Sequence, residues 1–207
     1  MNITNEDNIH LMARYEDNHF DLAIVDPPYG IGNFNMENQV NKKNKKWEYD
    51  WNNEIPNKSY FNELKRVSKE QIIWGANYYN CFNNKGGAIV WFKDVKHPNM
   101  SKCEIASYSR LKKVDFFRYD WSNTDKYNEL RGTDIHPCEK PVSLYEWLLM
   151  NYAKKGDKIL DTHLGSGSIA IACHNLGYHL TACELDTEYY EVAMKRIEQH
   201  KQQIRMF

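Results

Sequence analysis

Residues 158–186 confine this chain to a narrow set of folds. Lys158-Ile159-Leu160-Asp161 is a short apolar run and reads as a strand. Leu164-Gly165-Ser166-Gly167-Ser168 is a tight glycine turn, and Ile169–Leu176 is an apolar helix. Tyr178–Cys183 is a second strand, closed by Glu184-Leu185-Asp186. Strand, turn, helix and strand in that order form a βαβ unit, which commits the chain to a parallel sheet with helices on its faces. The glycines let a ligand approach the backbone at a helix N-terminus. Glu184 follows them by roughly twenty residues, the spacing from which an acid reaches ribose hydroxyls. There is no Gly-x-Gly-x-x-Gly and no Walker lysine, so the ligand need not carry a pyrophosphate. The plainer alternative is a packing turn without a ligand. Asp186 is placed to cap a last helix, with Tyr189, Val192, Ala193 and Ile197 on its inner face.

A second stretch carries the chemistry. Leu22-Ala23-Ile24-Val25 is a buried strand that delivers Asp26-Pro27-Pro28-Tyr29 to the end of the sheet where α/β proteins bind ligands. Both prolines have φ locked and lack an N–H, so the carbonyls of Asp26 and Pro27 are presented without a neighbouring donor. Gly30 then frees the chain to turn away. A carboxylate, a carbonyl and an aromatic face in four residues suit one task. An aromatic exocyclic amine is a poor nucleophile because its lone pair is delocalised. Two acceptors holding its N–H groups pull the nitrogen toward tetrahedral geometry, while Tyr29 stacks on the ring. Asp26, near the usual carboxylate pKa of about 3.9, is too weak a base to deprotonate the amine first. It orients the amine, stabilises developing positive charge, and takes the proton after transfer. The bland reading is a proline-rich turn.

With 207 residues, the chain is read as one domain. Lys and Arg number 27 against 28 Asp and Glu, a net charge of -1, so any positive surface for nucleic acid has to be local. The five cysteines are odd in number and form no Cys-x-x-Cys pair, which argues against a disulfide framework or zinc site and for reduced thiols. We expect no metal. The N-terminus is polar and acidic, not a signal peptide, and no apolar run spans a membrane. A cytoplasmic protein is expected.

The remaining elements follow in order. Ile3 marks a short opening strand. Asp7 is placed to cap a helix over Ile9–Tyr15, and also to accept from a nucleotide. Residues 31–56 lack periodicity and read as a mobile loop. Lys42, Lys43, Lys45 and Lys46 in it are candidates for phosphate contacts, and Trp47, Tyr49 and Trp51 for base contacts, against the alternative of a solvated charge run. Tyr60–Val67 is helical, with Phe61, Leu64 and Val67 on one face. Gln71–Gly75 and Ala88–Phe92 are strands, and Glu104–Ser109 and Val114–Tyr119 read as strands of a more antiparallel edge. Residues 110–135 form a small candidate recognition region, with Arg110, Lys112, Lys113 and Arg118 as candidate nucleic-acid contacts. His136-Pro137-Cys138-Glu139-Lys140-Pro141 precedes a helix over Val142–Tyr152. Lys140, taken alone, reads as an exposed lysine.

Together these motifs resemble the amino-group DNA methyltransferases that use S-adenosylmethionine, in the β order where the Asp-Pro-Pro-Tyr half comes first. The resemblance spans nearly the whole chain and rests on Asp26–Tyr29, on His136–Pro141, and on Asp161 to Gly167 with Glu184. The stretch Ile72-Ile73-Trp74-Gly75-Ala76-Asn77 also looks like phage and prophage members. The resemblance implies an α/β, Rossmann-like methyltransferase fold with a seven-stranded mixed sheet flanked by helices. It implies restriction-modification biology, a double-stranded DNA partner and a homodimer.

The resemblance also implies roles. Asp26 and Pro27 hold the amine, Tyr29 stacks on a flipped base, and Pro28 completes the catalytic motif. Gly165, Ser166 and Gly167 line the cofactor's methionine portion beside Asp161. Glu184 takes its ribose, Asp7 its adenine, and Lys140 lies near cofactor and DNA backbone. Three departures stand out. His163 replaces the family's usual aromatic, so cofactor affinity or its pH dependence is expected to differ. Thr162 replaces a usual proline, and Cys138 a usual threonine. Asp at position 26 favours adenine N6 as the acceptor. Cytosine N4 and RNA adenine are the nearby alternatives, and a catalytically silent cofactor-binding scaffold is the alternative of another class.

Overall fold

The computed structural model describes residues 1–32, 52–80, 87–93, 95, 101–110, 112–119 and 139–203. Among these, eight strands form one mixed sheet: β1 (Asn2–Asn5), β2 (Phe20–Val25), β3 (Ser68–Trp74), β4 (Ala88–Phe92), β5 (Cys103–Tyr108), β6 (Val114–Arg118), β7 (Lys158–Asp161) and β8 (His179–Glu184). Their order is β1-β8-β7-β2-β3-β5-β4-β6. The family's seven strands are eight here. β6 was expected in an antiparallel edge; instead it runs parallel to β4 and closes that side of the sheet. β5 alone is antiparallel to both neighbours.

Helices cover both faces: α1 (Asn8–Ala13), α2 (Lys58–Val67), α3 (Ala76–Tyr79), α4 (Val142–Tyr152), α5 (Ser168–Leu176) and α6 (Thr187–Gln202). The period-2 alternation of each strand decides which helices it meets. Leu22, Ile24, Ile72 and Trp74 pack with Leu144 and Leu148 of α4 and with the apolar face of α5. Ala23, Val25 and Ile73 point the other way, onto Leu11 and Met12 of α1 and Leu64 and Val67 of α2. A sheet covered on both faces explains why β2 is a continuous apolar run. Asn57, Asp7 and Asp186 cap α2, α1 and α6 by accepting from backbone N–H groups of the first turn. In α6, Tyr189, Ala193 and Ile197 are buried, but Val192 is 43% exposed, contrary to expectation. The i, i+4 spacing of the three makes a narrow stripe, and Val192 falls off its edge.

Strand polarity organises the function. The parallel strands all end on one side of the sheet, at Asn5, Val25, Trp74, Phe92, Arg118, Asp161 and Glu184. Because β5 runs backwards, its first residues, Cys103 and Glu104, sit at that same end opposite Phe92 and Trp91. Arg110, Lys112 and Lys113 lie in the β5–β6 connection, at the far end of the sheet. No helix among the described residues is long and apolar enough to cross a membrane.

Candidate functional site

A cleft of about 490 Å³ opens at the C-terminal end of β1, β2, β7 and β8. Asp7, Asn8, Asp26, Pro28, Tyr60, Lys140, Thr162, His163, Gly165, Ser166 and Glu184 line it. Motifs more than 130 residues apart in sequence are therefore brought to one cavity, by parallel pairing of β2 with β7 and of β7 with β8.

At one end, Glu184 leaves β8 and turns its carboxylate back over the glycine turn. Its Oε2 accepts from the Gly165 N–H at 2.8 Å and its Oε1 from the Asp186 N–H at 3.1 Å. Burial raises the Glu184 carboxyl above its ordinary range, and these backbone donors oppose the shift. Asp7 both caps α1, accepting from the Ile9 N–H at 2.8 Å, and lines the cleft. The two readings of that residue are compatible. Asp161 and Gly167 are not among the lining residues. Asp161 is buried behind the cleft and accepts from the His163 N–H at 3.0 Å, so it shapes the turn. Burial pushes its carboxyl up to about 8, with Asp26 and Glu184 adding to the shift. Gly167 packs against Ile197 and Ala193 of α6.

His163 is held from both ring nitrogens. Asn8 Nδ2 lies 3.2 Å from its Nε2, and Thr162 Oγ1 lies 2.9 Å from its Nδ1. With the Asn8 amide oriented this way, the NH₂ donates, so Nε2 accepts and Nδ1–H donates to Thr162. Thr162 Oγ1 also shares a hydrogen bond with Tyr60 Oη at 2.7 Å, in which either hydroxyl can donate. Burial holds His163 down to about 4, so the ring is neutral near pH 7. A neutral imidazole, with Tyr60 edge-on at 5.3 Å, thus stands at the start of the glycine turn.

The other end holds a buried charge network. Asp26 Oδ2 is paired with the Lys140 ammonium, and Asp26 Oδ1 accepts from the Tyr29 hydroxyl at 2.7 Å. Lys140 also reaches Glu104 Oε2 at 3.1 Å, and Lys93 holds Glu104 Oε1 at 2.7 Å. Lys140 is therefore not the exposed lysine expected; its side chain is 3% exposed. Burial opposes its charge, but Asp26 and Glu104 outweigh it and hold the ammonium protonated above its ordinary range. Burial alone would raise Glu104; Lys140 and Lys93 instead hold it at about 2. Asp26 does not sit at the ordinary carboxylate value: burial raises it, and Lys140 only partly offsets this.

Several residues here escaped the sequence reading. Asn52 is buried; its Oδ1 accepts from the Tyr29 N–H at 3.0 Å and its Nδ2 donates to the Gly32 carbonyl at 2.8 Å. It thereby fixes the Asp-Pro-Pro-Tyr turn to the far end of the 31–56 loop. Gly30 has φ +68°, and a Cβ there would stand 2.7 Å from the Ile55 side chain. Tyr79 donates to both the Pro27 and Pro28 carbonyls, the latter at 3.0 Å. Tyr78 stacks on Tyr29 with ring centroids 4.9 Å apart. Gly75 has φ +73°, and a Cβ on it would meet the Tyr29 ring at 2.4 Å, so only glycine lets this ring lie here. The Gly75-Ala76-Asn77-Tyr78-Tyr79 run carried a signal, since two tyrosines follow a glycine at a strand end. Glu104 and Lys93 carried none, because their meeting depends on the reversed direction of β5.

The candidate nucleic-acid residues divide. Arg118 is exposed at the same end of the sheet as the cleft, over the Phe92 ring at 5.7 Å. Arg110, Lys112 and Lys113 are exposed at the opposite end, a placement that removes them from contacts centred on Asp26. Lys42, Lys43, Lys45, Lys46, Trp47, Tyr49 and Trp51 lie outside the described residues, as do Trp121 and His136–Cys138.

Residues 58–195 match the model of a family described as DNA methylase. The Type II methyltransferase M2.DpnII of Streptococcus pneumoniae is 24% identical over 241 residues, covering 96% of this chain and 90% of its own. In fold, the chain is similar to the M1.HpyAVI–SAM complex, with TM-score 0.59, 17% identity and coverage of 94% of this chain and 98% of that one. It is similar also to the cytosine-N4-specific PvuII DNA methyltransferase, with TM-score 0.60, 13% identity and coverage of 96% and 89%.

Proposed function

This chain belongs to the DNA methylase family, and from that premise we propose that it is a site-specific, S-adenosylmethionine-dependent methyltransferase acting on adenine N6 in duplex DNA. The observation that carries the proposal is one cleft with Glu184, Asp7 and the Gly165 backbone at one end and the Asp26–Pro28 turn at the other. The donor set fits the cofactor. Glu184 offers a carboxylate to a ribose diol, Asp7 an acceptor to an adenine amine, and the acid-rich cleft suits a ligand bearing positive charge. When bound, S-adenosylmethionine supplies an electrophilic methyl group on a sulfonium.

The chain's own residues do the rest. Asp26 and the Pro27 carbonyl each accept one N–H of the target amine and draw its lone pair out of the ring. Tyr29, which Tyr78 covers on one face in this structure, supplies a stacking surface for a flipped base. As the nitrogen gains the methyl group it must lose one proton, and Asp26 is the base in contact with it. The raised pKa of Asp26 suits that late acceptance. His163, neutral and fixed by Asn8 and Thr162, would offer a bound cofactor a ring to pack on and adds no positive charge to the cleft. On the DNA side, Arg118 and the lysines of the 31–56 loop meet phosphates. A homodimer, which the resemblance implies, doubles the DNA surface of a small chain with net charge -1.

Product identity tests the proposal. Incubation with S-adenosylmethionine and unmethylated duplex DNA, followed by nucleoside mass spectrometry, should give N6-methyladenine. N4-methylcytosine would overturn the adenine assignment and leave the rest. Separately, Glu184→Ala should weaken cofactor binding by about 10- to 100-fold, or roughly 1.5–3 kcal/mol for a hydrogen bond to a charged group. Calorimetry reads this directly, and an unchanged affinity removes the ribose assignment.

A further inference from the structure

The donors on Asp26 share an unusual property. Lys140 Nζ holds Asp26 Oδ2 and also lies 3.1 Å from Glu104 Oε2. The Tyr29 hydroxyl donates to Asp26 Oδ1 at 2.7 Å and lies 3.3 Å from that same Glu104 oxygen. Both donors that occupy Asp26 thus share Glu104 as an alternative carboxylate acceptor, and Lys140 also lies 3.2 Å from the Tyr29 hydroxyl oxygen. The Pro27 carbonyl follows the same pattern, because its donor, Tyr79, is also 3.0 Å from the Pro28 carbonyl. Each acceptor assigned to the target amine is filled in the free protein by a group that has somewhere else to go.

From this we propose that Glu104, anchored by Lys93, is a positioning residue that receives the Lys140 ammonium and the Tyr29 hydroxyl when the target amine takes the oxygens of Asp26. The proposal rests on the methyltransferase reading above and adds a residue to it. Its physical basis is competition in a largely buried site. An Asp26 oxygen shared with an ammonium is a weakened acceptor for a neutral amine. A small shift of Lys140 toward the Glu104 oxygen it already touches restores that acceptor without leaving a buried cation unpaired. Lys93 keeps Glu104 in place by holding its other oxygen at 2.7 Å. The network carries two acids and two lysines, so it stays neutral throughout the exchange.

The groups that bear on Asp26 come from every neighbouring element. Tyr29 is on its own turn, Lys93 on β4, Glu104 on β5, and Asp161 on β7. Lys140 precedes α4, Tyr145 is on α4, Tyr60 on α2 and Tyr79 on α3. Glu104 disfavours the Asp26 carboxylate by like charge, while Lys140 favours it. Removing the Glu104 charge therefore makes Asp26 easier to ionise and leaves Lys140 with no second carboxylate, its other acceptor being the neutral Tyr29 hydroxyl at 3.2 Å.

The test is the pH profile of single-turnover methyl transfer for wild type, Glu104→Gln and Lys93→Met, with the KM for S-adenosylmethionine measured alongside. Turnover needs ionised Asp26, so the rate falls as pH drops through its pKa. In Glu104→Gln this acid limb should move down by about one pH unit. The plateau rate should fall about tenfold, because Lys140 no longer leaves Asp26, a loss the size of one charge-assisted hydrogen bond. The cofactor KM should not change. Lys93→Met should move the limb the other way, upward, because the Glu104 charge is then less compensated. An unmoved limb or an unchanged plateau in Glu104→Gln overturns the hand-over. If Glu104→Gln does not fold, Lys93→Met decides: an upward limb supports the proposal and a profile superimposed on wild type overturns it. A wild-type protein that methylates no base overturns the underlying function, whereas active wild type with superimposed profiles overturns only the role of Glu104.

Discussion

Asp26→Ala should lower methyl transfer by about 10²–10³ at saturating cofactor, the scale seen when one preorganised group is taken from a polar transition state. Cofactor affinity and fold should survive. The reason lies in the network. Lys140, which pairs with Asp26, keeps Glu104 at 3.1 Å, so the substitution does not strand a buried cation. Glu184, Gly165 and Asp7, which carry the cofactor assignment, lie at the other end of the cleft and make no contact with Asp26 among the interactions described here. Asp26→Asn should be nearly as impaired, because its single amide oxygen turns to the Lys140 ammonium and its NH₂, a donor only, is left facing the target amine. Single-turnover rates on duplex DNA, with calorimetric cofactor binding and circular dichroism, separate these effects. Turnover equal to wild type in Asp26→Ala would remove the mechanism, whereas a wild-type protein that binds cofactor and methylates no base would leave the scaffold reading in its place.

How far the sequence reaches is visible in which residues it located. The βαβ unit was legible because its signals are local: an apolar run, a glycine turn, a helix and an acid follow one another within 30 residues. The Asp-Pro-Pro-Tyr turn was legible for the same reason, since proline geometry needs no partner to be read. Parallel pairing then brought both to one cleft, as an α/β sheet dictates. What was not legible depended on direction and distance. Glu104 looks like an ordinary edge-strand acid until β5 is known to run backwards, which places its first residues beside Asp26. The same reversal carries Arg110, Lys112 and Lys113 to the wrong end of the sheet. Lys140 read as exposed because isolated lysines usually are. Its burial follows from two carboxylates contributed by strands 36 and 114 residues away in sequence. Asn52 and Tyr79 act through backbone atoms of the turn, and no spacing rule announces such contacts.

Lys140→Met tests that buried pairing most severely. Methionine fills much of the lysine stem's volume but carries no charge, so Asp26 and Glu104 face each other without the cation between them. Breaking a buried pair from one side costs about 3–5 kcal/mol, because the partner charge remains desolvated. The cost should depend on pH in a definite sense. Glu104 keeps Lys93 and stays ionised, while Asp26, already raised by burial, loses its main opposing influence and rises further. Asp26 in the folded variant then binds a proton at pH values where the unfolded chain has released it. A group raised in this way contributes stability that is complete below the unfolded pKa and is lost as pH rises through the folded one. The variant's deficit against wild type should therefore be small in the ordinary carboxylate range and grow as pH rises through the raised pKa of Asp26, as read by thermal or denaturant unfolding against pH. Activity follows the same logic, since a protonated Asp26 cannot accept from the amine. The acid limb of methyl transfer should move upward, opposite to Glu104→Gln. A deficit independent of pH, with an unmoved limb, would mean that Lys140 serves the fold alone and that its contact with Asp26 sets neither charge nor chemistry.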